Sequence, residues 1–163
     1  MQHIVFGLDD ALPQQAPPSM SRPDDRAAWV DREMDAGHGS RLLARSANAQ
    51  IVQDCLLHDD GERYALVAWC VMRTHVHALV ELRFEAKLAE IVQTWKSVTA
   101  HAINRSEGRN GRLWRREYFD RFMRNGQQLA STIAYIENNP VAAGLCKEPA
   151  DWRHSSANWR RMQ

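Results

Sequence analysis

The sequence predicts an α+β sandwich, in which helices pack on an antiparallel sheet, and three observations lead to this fold class. An apolar run at residues 63–72 is followed almost at once by an alternating run at 75–82, as in two strands of a hairpin. Apolar residues recur at helical spacing in 85–104, which predicts a long amphipathic helix. The order strand, helices, strand, strand, helix, strand, helix is typical of helices lying on one sheet.

The first third of the chain contains one predicted strand and two predicted helices. Residues 4–8 form a short apolar run that predicts an edge strand. The stretch 12–23 carries four prolines and predicts an extended loop within the domain. Asp24 and Asp25 provide acidic residues for the start of a helix. The two helices are expected through Trp29, Val30 and Met34 and over residues 47–57.

The predicted hairpin occupies the middle of the chain. Residues 63–72 are rich in β-branched and aromatic side chains and too apolar for an exposed strand, so they predict a central strand. Arg73 and Thr74 would form the tight connection to the next strand. Residues 75–82 alternate and are expected to pair antiparallel with the preceding strand.

The last third predicts one more strand and one more helix. Residues 113–124 mix basic and aromatic side chains and predict a strand. Residues 127–138 predict a helix that Pro140 stops, because proline has no backbone N–H to donate. A tryptophan-rich tail follows at 146–163, and we expect residues 1–163 to form a single domain.

Length and composition favour one compact domain in the cytoplasm. A chain of 163 residues is long enough for a single core. No apolar run approaches the ~20 residues needed to cross a bilayer, and the N-terminus lacks the basic start of a signal peptide. The three cysteines are odd in number and widely spaced, which argues against a disulfide framework and against a Cys-x-x-Cys metal site.

The charge of the chain is unevenly distributed. The net charge is only +1, but residues 93–124 carry eight basic and three acidic side chains. Residues 1–92 carry nine basic against fourteen acidic side chains. The overall charge gives little indication of a nucleic-acid interface. The basic segment 93–124, which follows the acidic segment 1–92, favours one.

The sharpest local motif is His75-Val76-His77. Side chains at positions i and i+2 of a strand point to the same face, so the two imidazoles converge while Val76 points to the opposite face. Neutral imidazoles bind divalent transition metals. By itself the motif also fits a polar sheet face without a metal, and a third ligand is needed to distinguish the two interpretations.

A second constellation lies near the end of the last predicted helix. Tyr135 and Asn139 are at i and i+4 and therefore share one face of that helix. Asn139 offers a carbonyl oxygen, and Tyr135 offers a phenol that attacks poorly at neutral pH unless a metal polarises its target or a base takes its proton. Taken singly, the tyrosine also fits a core boundary and the asparagine a helix end before Pro140.

Four segments of the chain carry motifs of a known family: residues 61–72 running into His75-Val76-His77, residues 114–121, residues 135–145 and residues 151–156. Together they resemble the REP-associated tyrosine transposases, within the single-tyrosine transposases that carry the His-hydrophobe-His (HUH) motif. The resemblance spans nearly the whole chain. Its most specific part is Tyr-Ile-Glu-Asn-Asn-Pro-Val-Ala-Ala-Gly-Leu at residues 135–145.

The resemblance implies a fold, a site and a reaction. The fold is a ferredoxin-like antiparallel sheet with helices packed on it. The catalytic nucleophile is Tyr135, and the metal ligands for Mg²⁺ or Mn²⁺ are His75, His77 and Asn139. Tyr64 and Tyr118 are then structural.

The implied reaction is nicking and rejoining of single-stranded DNA through a 5′-phosphotyrosyl intermediate. The implied substrate is a single strand folded into a palindromic hairpin, at repeated elements of a bacterial chromosome, and the implied location is the nucleoid.

Two positions differ from the usual family pattern. Arg73 and Thr74 stand where the family usually has Pro-Asn before the His-x-His motif. Ala142 stands where the family often has a basic residue. The first difference affects the turn that leads directly into the histidines.

The basic middle segment supplies the candidate DNA-binding residues. Arginines neutralise phosphates, and aromatic rings stack on unpaired bases at roughly 1–3 kcal/mol each. For Trp114 a place in the core fits the sequence equally well. The predicted DNA-binding residues are Lys96, Arg109, Arg112, Trp114, Arg115, Arg116, Arg121 and Arg124.

Two other functions remain open from the sequence. A non-catalytic, domesticated descendant would bind DNA hairpins without nicking them. An RNA-binding module could use the same kind of sheet, although its sheet face would normally present aromatic side chains where His75 and His77 stand. The chain would act as a monomer or a homodimer.

Overall fold

The computed structural model describes residues 1–12, 29–30, 32–34 and 36–163. Most of the predicted loop 12–23 and the predicted acidic helix start at Asp24 and Asp25 lie outside the described residues. Trp29, Val30 and residues 32–34 are helical, as predicted. Two short 3₁₀ helices also occur, at Leu42–Ala44 and Pro149–Asp151. The main elements in chain order are β1 (Gln2–Gly7), α1 (Ser46–His58), β2 (Tyr64–Val71), β3 (His75–Leu82), α2 (Leu88–Ser106), β4 (Phe119–Phe122), α3 (Gly126–Ala142) and α4 (Ser156–Met162).

The four strands form one sheet in the order β2-β3-β1-β4, and every neighbouring pair is antiparallel. Together with the chain order of the helices, this is the ferredoxin-like arrangement, in which α1 and α2 connect strands that are not neighbours. The predicted α+β class and the predicted ferredoxin-like sheet are therefore confirmed.

The predicted positions of two strands within the sheet are wrong. Residues 4–8 were expected at an edge, but β1 lies between β3 and β4. Residues 63–72 were expected at the centre, but β2 lies at an edge. The apolar composition of β2 reflects cover from both faces and from the C-terminal segment, and composition alone does not distinguish such a strand from a central one.

The C-terminal segment covers the edge of β2. The Val71 amide donates to the His154 carbonyl at 2.9 Å, and the Trp69 amide donates to Ser156 Oγ at 3.2 Å. The Trp152 indole N–H donates to the Val71 carbonyl at 2.9 Å. An open edge strand would present unpaired backbone groups to other chains, so the tail both satisfies these groups and protects the edge.

The two faces of the sheet have different partners. Val76, Ala78 and Val80 of β3 are fully buried in the larger core, to which α1 and α2 contribute. On the other face, Leu79 is fully buried with Ile136 of α3 in a second cluster. The alternation of β3 thus places α3 on the face that carries His75 and His77.

The predicted hairpin is confirmed, and its turn is short. β2 ends at Val71 and β3 begins at His75, and the Met72 amide donates to the His75 carbonyl at 2.8 Å. Gly7 of β1 pairs with His75, and a Cβ at Gly7 would lie 3.5 Å from the His75 Cβ. β1 therefore approaches the first histidine closely.

The last helix and the last strand differ in length from their predictions. Pro140 was expected to stop α3, but the helix continues to Ala142. Proline removes one amide donor but not the acceptors that follow, and the Ala143 amide still donates to the Asn139 carbonyl at 2.9 Å, so the helix ends one residue before Ala143. The strand predicted over 113–124 is limited to β4, and a separate bridge pairs Trp114 with Leu8.

None of the described helices combines the length and the apolar character needed to cross a membrane.

Candidate active site

The two histidines of the motif lie side by side on β3. Both His75 and His77 are fully buried, while Val76 between them points into the larger core. Their Nε2 atoms are 3.0 Å apart. The alternation of the strand therefore brings both imidazoles to one point on the face that α3 covers.

Asn139 reaches the same point from α3. Its side chain is almost completely buried, and Nδ2 lies 3.0 Å from His77 Nε2. Within the described part of the chain no group donates to Asn139 Oδ1, although this oxygen is buried. A buried carbonyl oxygen that lacks a donor is costly, so this oxygen is available to a ligand once the amide turns.

Tyr135 lies one helical turn before Asn139, at the rim of this cluster. Its side chain is 41% exposed, whereas the imidazoles below it are buried. The ring meets the His77 ring edge-on, with centroids 5.7 Å apart and planes at 89°. A concave surface opens beside it, lined by Ser131, Ala134, Tyr135, Glu137, Asn138, Asn139, Ala142 and Pro149. The phenol is thus accessible from this concave surface.

His3 of β1 is a member of the cluster that the sequence interpretation missed. Its ring stacks on that of His77 with centroids 5.3 Å apart, and its Nε2 lies 3.1 Å from His77 Nδ1. The ring also meets Tyr135 edge-on at 6.2 Å. The one local signal was a histidine in an otherwise apolar strand, and its partner became visible only with the pairing of β1 and β3.

Thr74, at the position where the chain differs from the usual family pattern, contacts the other histidine. Its Oγ1 lies 3.0 Å from His75 Nδ1 and donates to the Met34 carbonyl at 2.9 Å. The turn therefore binds the ring of His75 on one side and the helical residues around Met34 on the other.

Burial favours the neutral form of His77 and of His3. Desolvation, followed by the nearby His75 and His3, holds the pKa of His77 well below its usual range. Desolvation, followed by the Arg121 guanidinium, lowers the pKa of His3 from 6.5 to about 4. A neutral imidazole is the form that donates a nitrogen lone pair to a metal ion.

The predicted ligands His75, His77 and Asn139 fit a divalent cation. Two ligands that bind one octahedral ion at about 2.1 Å and at right angles stand about 3 Å apart, and the two Nε2 atoms are 3.0 Å apart. A half-turn of the Asn139 amide would place its carbonyl oxygen where Nδ2 now lies, next to His77 Nε2. The donor set of two nitrogens and one oxygen suits Mn²⁺, which accepts both. Among the described residues no group of three or more His, Cys, Asp or Glu is arranged to hold a metal, so the fit depends on the asparagine.

The structure brings five of the eight predicted DNA-binding residues together and leaves three apart. The five border a groove of about 420 Å³ between α2 and residues 111–118, and α2 packs on the face opposite α3. Arg121 lies apart from this groove, because its register with His3 places it on the face of the histidines. Arg124 lies exposed just before α3, and Arg109 follows α2. The predicted residues in the groove are Lys96, Arg112, Trp114, Arg115 and Arg116.

Trp114 lies mainly in the core. Its side chain is 4% exposed, packs against Phe6 and donates from its indole N–H to Thr99 Oγ1 at 2.9 Å. Its ring faces are therefore occupied, and the structure favours the core alternative over base stacking. In the same groove, Lys96 Nζ donates to the Arg116 carbonyl at 2.9 Å, and burial lowers the pKa of Lys96 against an opposing effect of Glu117.

The other two tyrosines lie away from the histidines. Tyr64 is fully buried, donates to the Leu56 carbonyl at 2.6 Å and accepts from the Trp95 indole N–H at 3.0 Å. Tyr118 borders the groove beside α2. Tyr135 is thus the tyrosine that the fold brings to His77.

The paired histidines on a ferredoxin-like sheet and the tyrosine on the covering helix define a class of protein. The family model described as "Transposase IS200 like" matches residues 49–139, more than half of the chain, and this range contains His75, His77, Tyr135 and Asn139. The chain belongs to the IS200-like transposase family.

Individual relatives agree with this assignment. A Haemophilus influenzae protein described as a REP-associated tyrosine transposase is 27% identical over 103 residues, which cover 57% of this chain and 58% of that protein. The match thus spans less than two thirds of the length of that relative. The predicted resemblance to REP-associated tyrosine transposases is confirmed.

Two solved structures resemble this chain in fold to different degrees. A REP-associated tyrosine transposase bound to a REP hairpin superposes with a TM-score of 0.65 at 18% identity, covering 96% of this chain and 76% of that one. At this identity the likeness shows the shared fold. A transposase structure from Deinococcus radiodurans covers 85% of this chain and 88% of that one, with 18% identity and a TM-score of 0.44.

Proposed function

We propose that this chain is a metal-dependent endonuclease and strand transferase that nicks and rejoins hairpin-forming single-stranded DNA through Tyr135. The observation that carries the proposal is the convergence of β3 and α3. The ring centroid of the accessible Tyr135 lies 5.7 Å from the ring centroid of the buried His77. His77 in turn contacts Asn139.

In this proposal, His75, His77 and Asn139 hold Mg²⁺ or Mn²⁺. The bound ion would orient the scissile phosphate and stabilise the negative charge that develops in the transition state. The neutral state of His77 supports this role, since its lowered pKa keeps the lone pair available at physiological pH. Asn139 supports it as well, because no described residue holds its oxygen in the present orientation and a half-turn of the amide would direct that oxygen to His77 Nε2.

Tyr135 is the proposed nucleophile. Its Oη forms a bond to phosphorus while the bond from phosphorus to the 3′ oxygen breaks. The phenol releases its proton, and the departing 3′ oxygen takes one up. The products are a 5′-phosphotyrosyl enzyme and a DNA end with a free 3′-hydroxyl.

Rejoining follows the same path in reverse. A 3′-hydroxyl attacks the phosphotyrosyl phosphorus, the bond to Tyr135 Oη breaks, and the phenol takes back a proton. The phosphodiester energy is kept in the covalent intermediate, so rejoining needs no ATP. One nucleophilic tyrosine in each chain allows one nick at a time.

The proposed substrate is a strand folded into a palindromic hairpin. The family supports a DNA substrate, and a structure with the same fold is of a REP-associated tyrosine transposase bound to a REP hairpin. The basic groove at Lys96, Arg112, Arg115 and Arg116 would contact phosphates of the folded strand. Arg121, on the face of His3, would contact the strand near the scissile bond.

The test is formation of a covalent adduct. The protein is incubated with Mn²⁺ and labelled single-stranded palindromic DNA, and a denaturant-resistant adduct is sought. We expect an adduct from the wild type and from Tyr118→Phe, and none from Tyr135→Phe or in the presence of EDTA. An adduct from Tyr135→Phe would show that the assigned nucleophile is wrong.

The same assay distinguishes the alternative function. A domesticated descendant would bind the hairpin with the affinity of an active enzyme but would form no adduct with any metal ion. Cleavage that survives both EDTA and His77→Ala would contradict the metal assignment while leaving the tyrosine in place.

A further inference from the structure

We infer that Arg41 and Arg73 form a phosphate-binding subsite beside the proposed metal site, which takes a phosphodiester next to the scissile one. Both arginines would act on the DNA strand of the proposed function, on which this inference therefore rests. They lie outside the basic segment 93–124, in the acidic part of the chain. The charge pattern of the sequence therefore does not indicate them.

The subsite is a cavity of about 150 Å³ next to the turn that leads into the histidines. His75 and Thr74 border it on the strand side, and Ala143, just after α3, borders it on the helix side. Ala142, the residue before Ala143, borders the concave surface beside Tyr135. The end of α3 thus adjoins both surfaces, and a strand that passes the proposed metal ligands can continue into the cavity.

Hydrogen bonds hold the two arginines at the same cavity. The Leu43 amide donates to the Arg73 carbonyl at 3.2 Å, and Leu43 follows closely after Arg41 in the chain. Thr74, next to Arg73, donates from Oγ1 to the Met34 carbonyl at 2.9 Å. The frame of the cavity therefore exists before a ligand binds, which lowers the cost of ordering these groups on binding.

Arg41 has an unusual backbone conformation. Its φ is 48°, in the left-handed region that is unfavourable for a residue with a Cβ, and such conformations are frequent at ligand sites. Its Nε donates to the Gly37 carbonyl at 2.7 Å. A Cβ at Gly37 would lie 3.4 Å from Nε and from one terminal nitrogen of Arg41, so the guanidinium lies close over this glycine. The bond fixes the guanidinium and leaves the donors of its terminal nitrogens for a ligand.

The surroundings of the cavity favour a phosphate. Arg73 is partly buried and Arg41 is exposed, and no acidic side chain in the described part of the chain forms an ion pair with either. Met34 and Met72 provide apolar surface beside these charges, and an anion is attracted more strongly where water is partly excluded. The planar guanidinium matches two oxygens of a phosphate.

The size of the cavity limits what it can hold. Sites for whole small molecules usually measure at least ~300 Å³, about twice the volume found here. The cavity therefore takes a phosphodiester group rather than a complete nucleotide.

The test neutralises single phosphates of the DNA. The full chain carrying Tyr135→Phe, which lacks the proposed nucleophile, is titrated by fluorescence anisotropy with a labelled hairpin that has single-stranded flanks. Each phosphate of the flanks is replaced in turn by a neutral methylphosphonate. The same series is measured after Arg73→Gln or Arg41→Gln is added to this parent protein.

We expect one linkage at which the methylphosphonate weakens binding by the parent about 10-fold, because charge-assisted hydrogen bonds are lost there. Arg73→Gln and Arg41→Gln should bind the unmodified DNA about 10-fold more weakly, and the methylphosphonate at that linkage should then add only about 2-fold. All other linkages should keep the effect that they have with the parent. A change at one linkage indicates a direct contact, since a displaced backbone would alter several.

Further variants control for charge and for structure. Arg83→Gln removes a positive charge from an exposed position after β3 and should keep the full effect of that linkage. Arg73→Lys keeps the charge but not the planar fork, and it should recover part of the effect. The thermal unfolding midpoint of Arg73→Gln in EDTA should match that of the parent, because no described side chain pairs with Arg73.

The inference is overturned if no linkage depends on Arg73 or Arg41, or if both variants weaken the effect of every linkage equally. Binding of inorganic phosphate to the wild type, together with either result, would identify a free anion as the occupant and equally reject the assignment to DNA. The proposed chemistry is tested separately by the covalent adduct. A linkage that depends on both arginines, without an adduct in the wild type, would keep the subsite while the assigned nucleophile fails. An adduct without such a linkage would reject the subsite alone.

Discussion

The Tyr135 ring stands edge-on over His77, with the ring centroids 5.7 Å apart and the planes at 89°. This contact joins the partly exposed Tyr135 to the fully buried His77. The backbone of α3 carries both Tyr135 and Asn139, so any displacement of the helix moves the phenol and the amide together.

Asn139→Leu should separate metal binding from folding. The variant loses the carbonyl ligand, so Mn²⁺ affinity should fall at least about 10-fold. It also removes a buried oxygen to which no described residue donates, a group that costs ~1–3 kcal/mol, and this offsets the lost bond to His77. We expect the unfolding free energy in EDTA to change by less than about 1 kcal/mol, measured in urea. Asn138→Leu, one residue earlier and exposed, is the control and should bind Mn²⁺ normally.

Arg116→Gln should weaken DNA binding in a salt-dependent manner. Arg116 is exposed at the groove beside α2, and each lost phosphate contact should lower the slope of log affinity against log salt by about 0.7 for a single strand. Affinity for a labelled hairpin is measured by fluorescence anisotropy at several salt concentrations. Arg83→Gln, exposed after β3 and outside the groove, should retain the wild-type slope. Equal slopes for the two variants would exclude the groove as a phosphate-binding surface.

Gly39→Ala should destabilise the protein far more than Gly111→Ala. Both glycines have a positive φ, 82° and 91°, and an alanine there costs about 1–2 kcal/mol in each case. A Cβ at Gly39 would lie only 2.4 Å from the Asp10 carbonyl oxygen, whereas no described residue comes within 4 Å of a Cβ at Gly111. We expect a further loss of about 1–3 kcal/mol for Gly39→Ala in urea unfolding. Equal losses would mean that the Asp10 contact is easily relaxed.

Ser156→Ala should loosen the C-terminal cover of β2. Ser156 Oγ accepts from the Trp69 amide at 3.2 Å and donates to Glu137 of α3, whose carboxylate also pairs with Arg160. Without the serine hydroxyl, the Trp69 amide and the Glu137 carboxylate each lose a hydrogen bond. This loss should lower the free energy of unfolding, measured by heat or urea, by about 1–3 kcal/mol. Ser97→Ala, at an exposed position of α2, should change stability by less than about 0.5 kcal/mol. A similarly small change in stability for Ser156→Ala would show that the C-terminal segment contributes little to the stability of the β2 edge.

Stability should fall in mildly acidic solution because of His3. Its folded pKa of about 4 lies below the unfolded value of 6.5, so the unfolded chain binds more protons between these pH values. The contribution of His3 to the free energy of unfolding is fully present above pH 6.5 and is lost as the pH falls to 4. The whole contribution amounts to about 3 kcal/mol. The low pKa of His77 acts in the same direction. Urea unfolding at a series of pH values should give a flatter profile for His3→Gln than for the wild type, and parallel profiles would contradict the assignment.

Local patterns were sufficient for much of the fold. The alternation of β3 predicted that His75 and His77 share a face, because side chains repeat every two residues in a strand. The spacing of Tyr135 and Asn139 predicted their shared face of α3 in the same way. The positions of strands in the sheet were not predictable by this route, since the cover over β2 comes from Trp152 and Ser156 at the other end of the chain.

By itself the sequence determined the elements, the hairpin, and which face of each element the candidate residues occupy, because these depend on neighbours within a few residues. Only the tertiary structure decided which residues meet. The contact of His3 with His77 spans 74 positions, that of Asn139 with His77 spans 62, and that of Thr74 with Met34 spans 40. Strand order and helix packing bring these groups together, and no local periodicity encodes them.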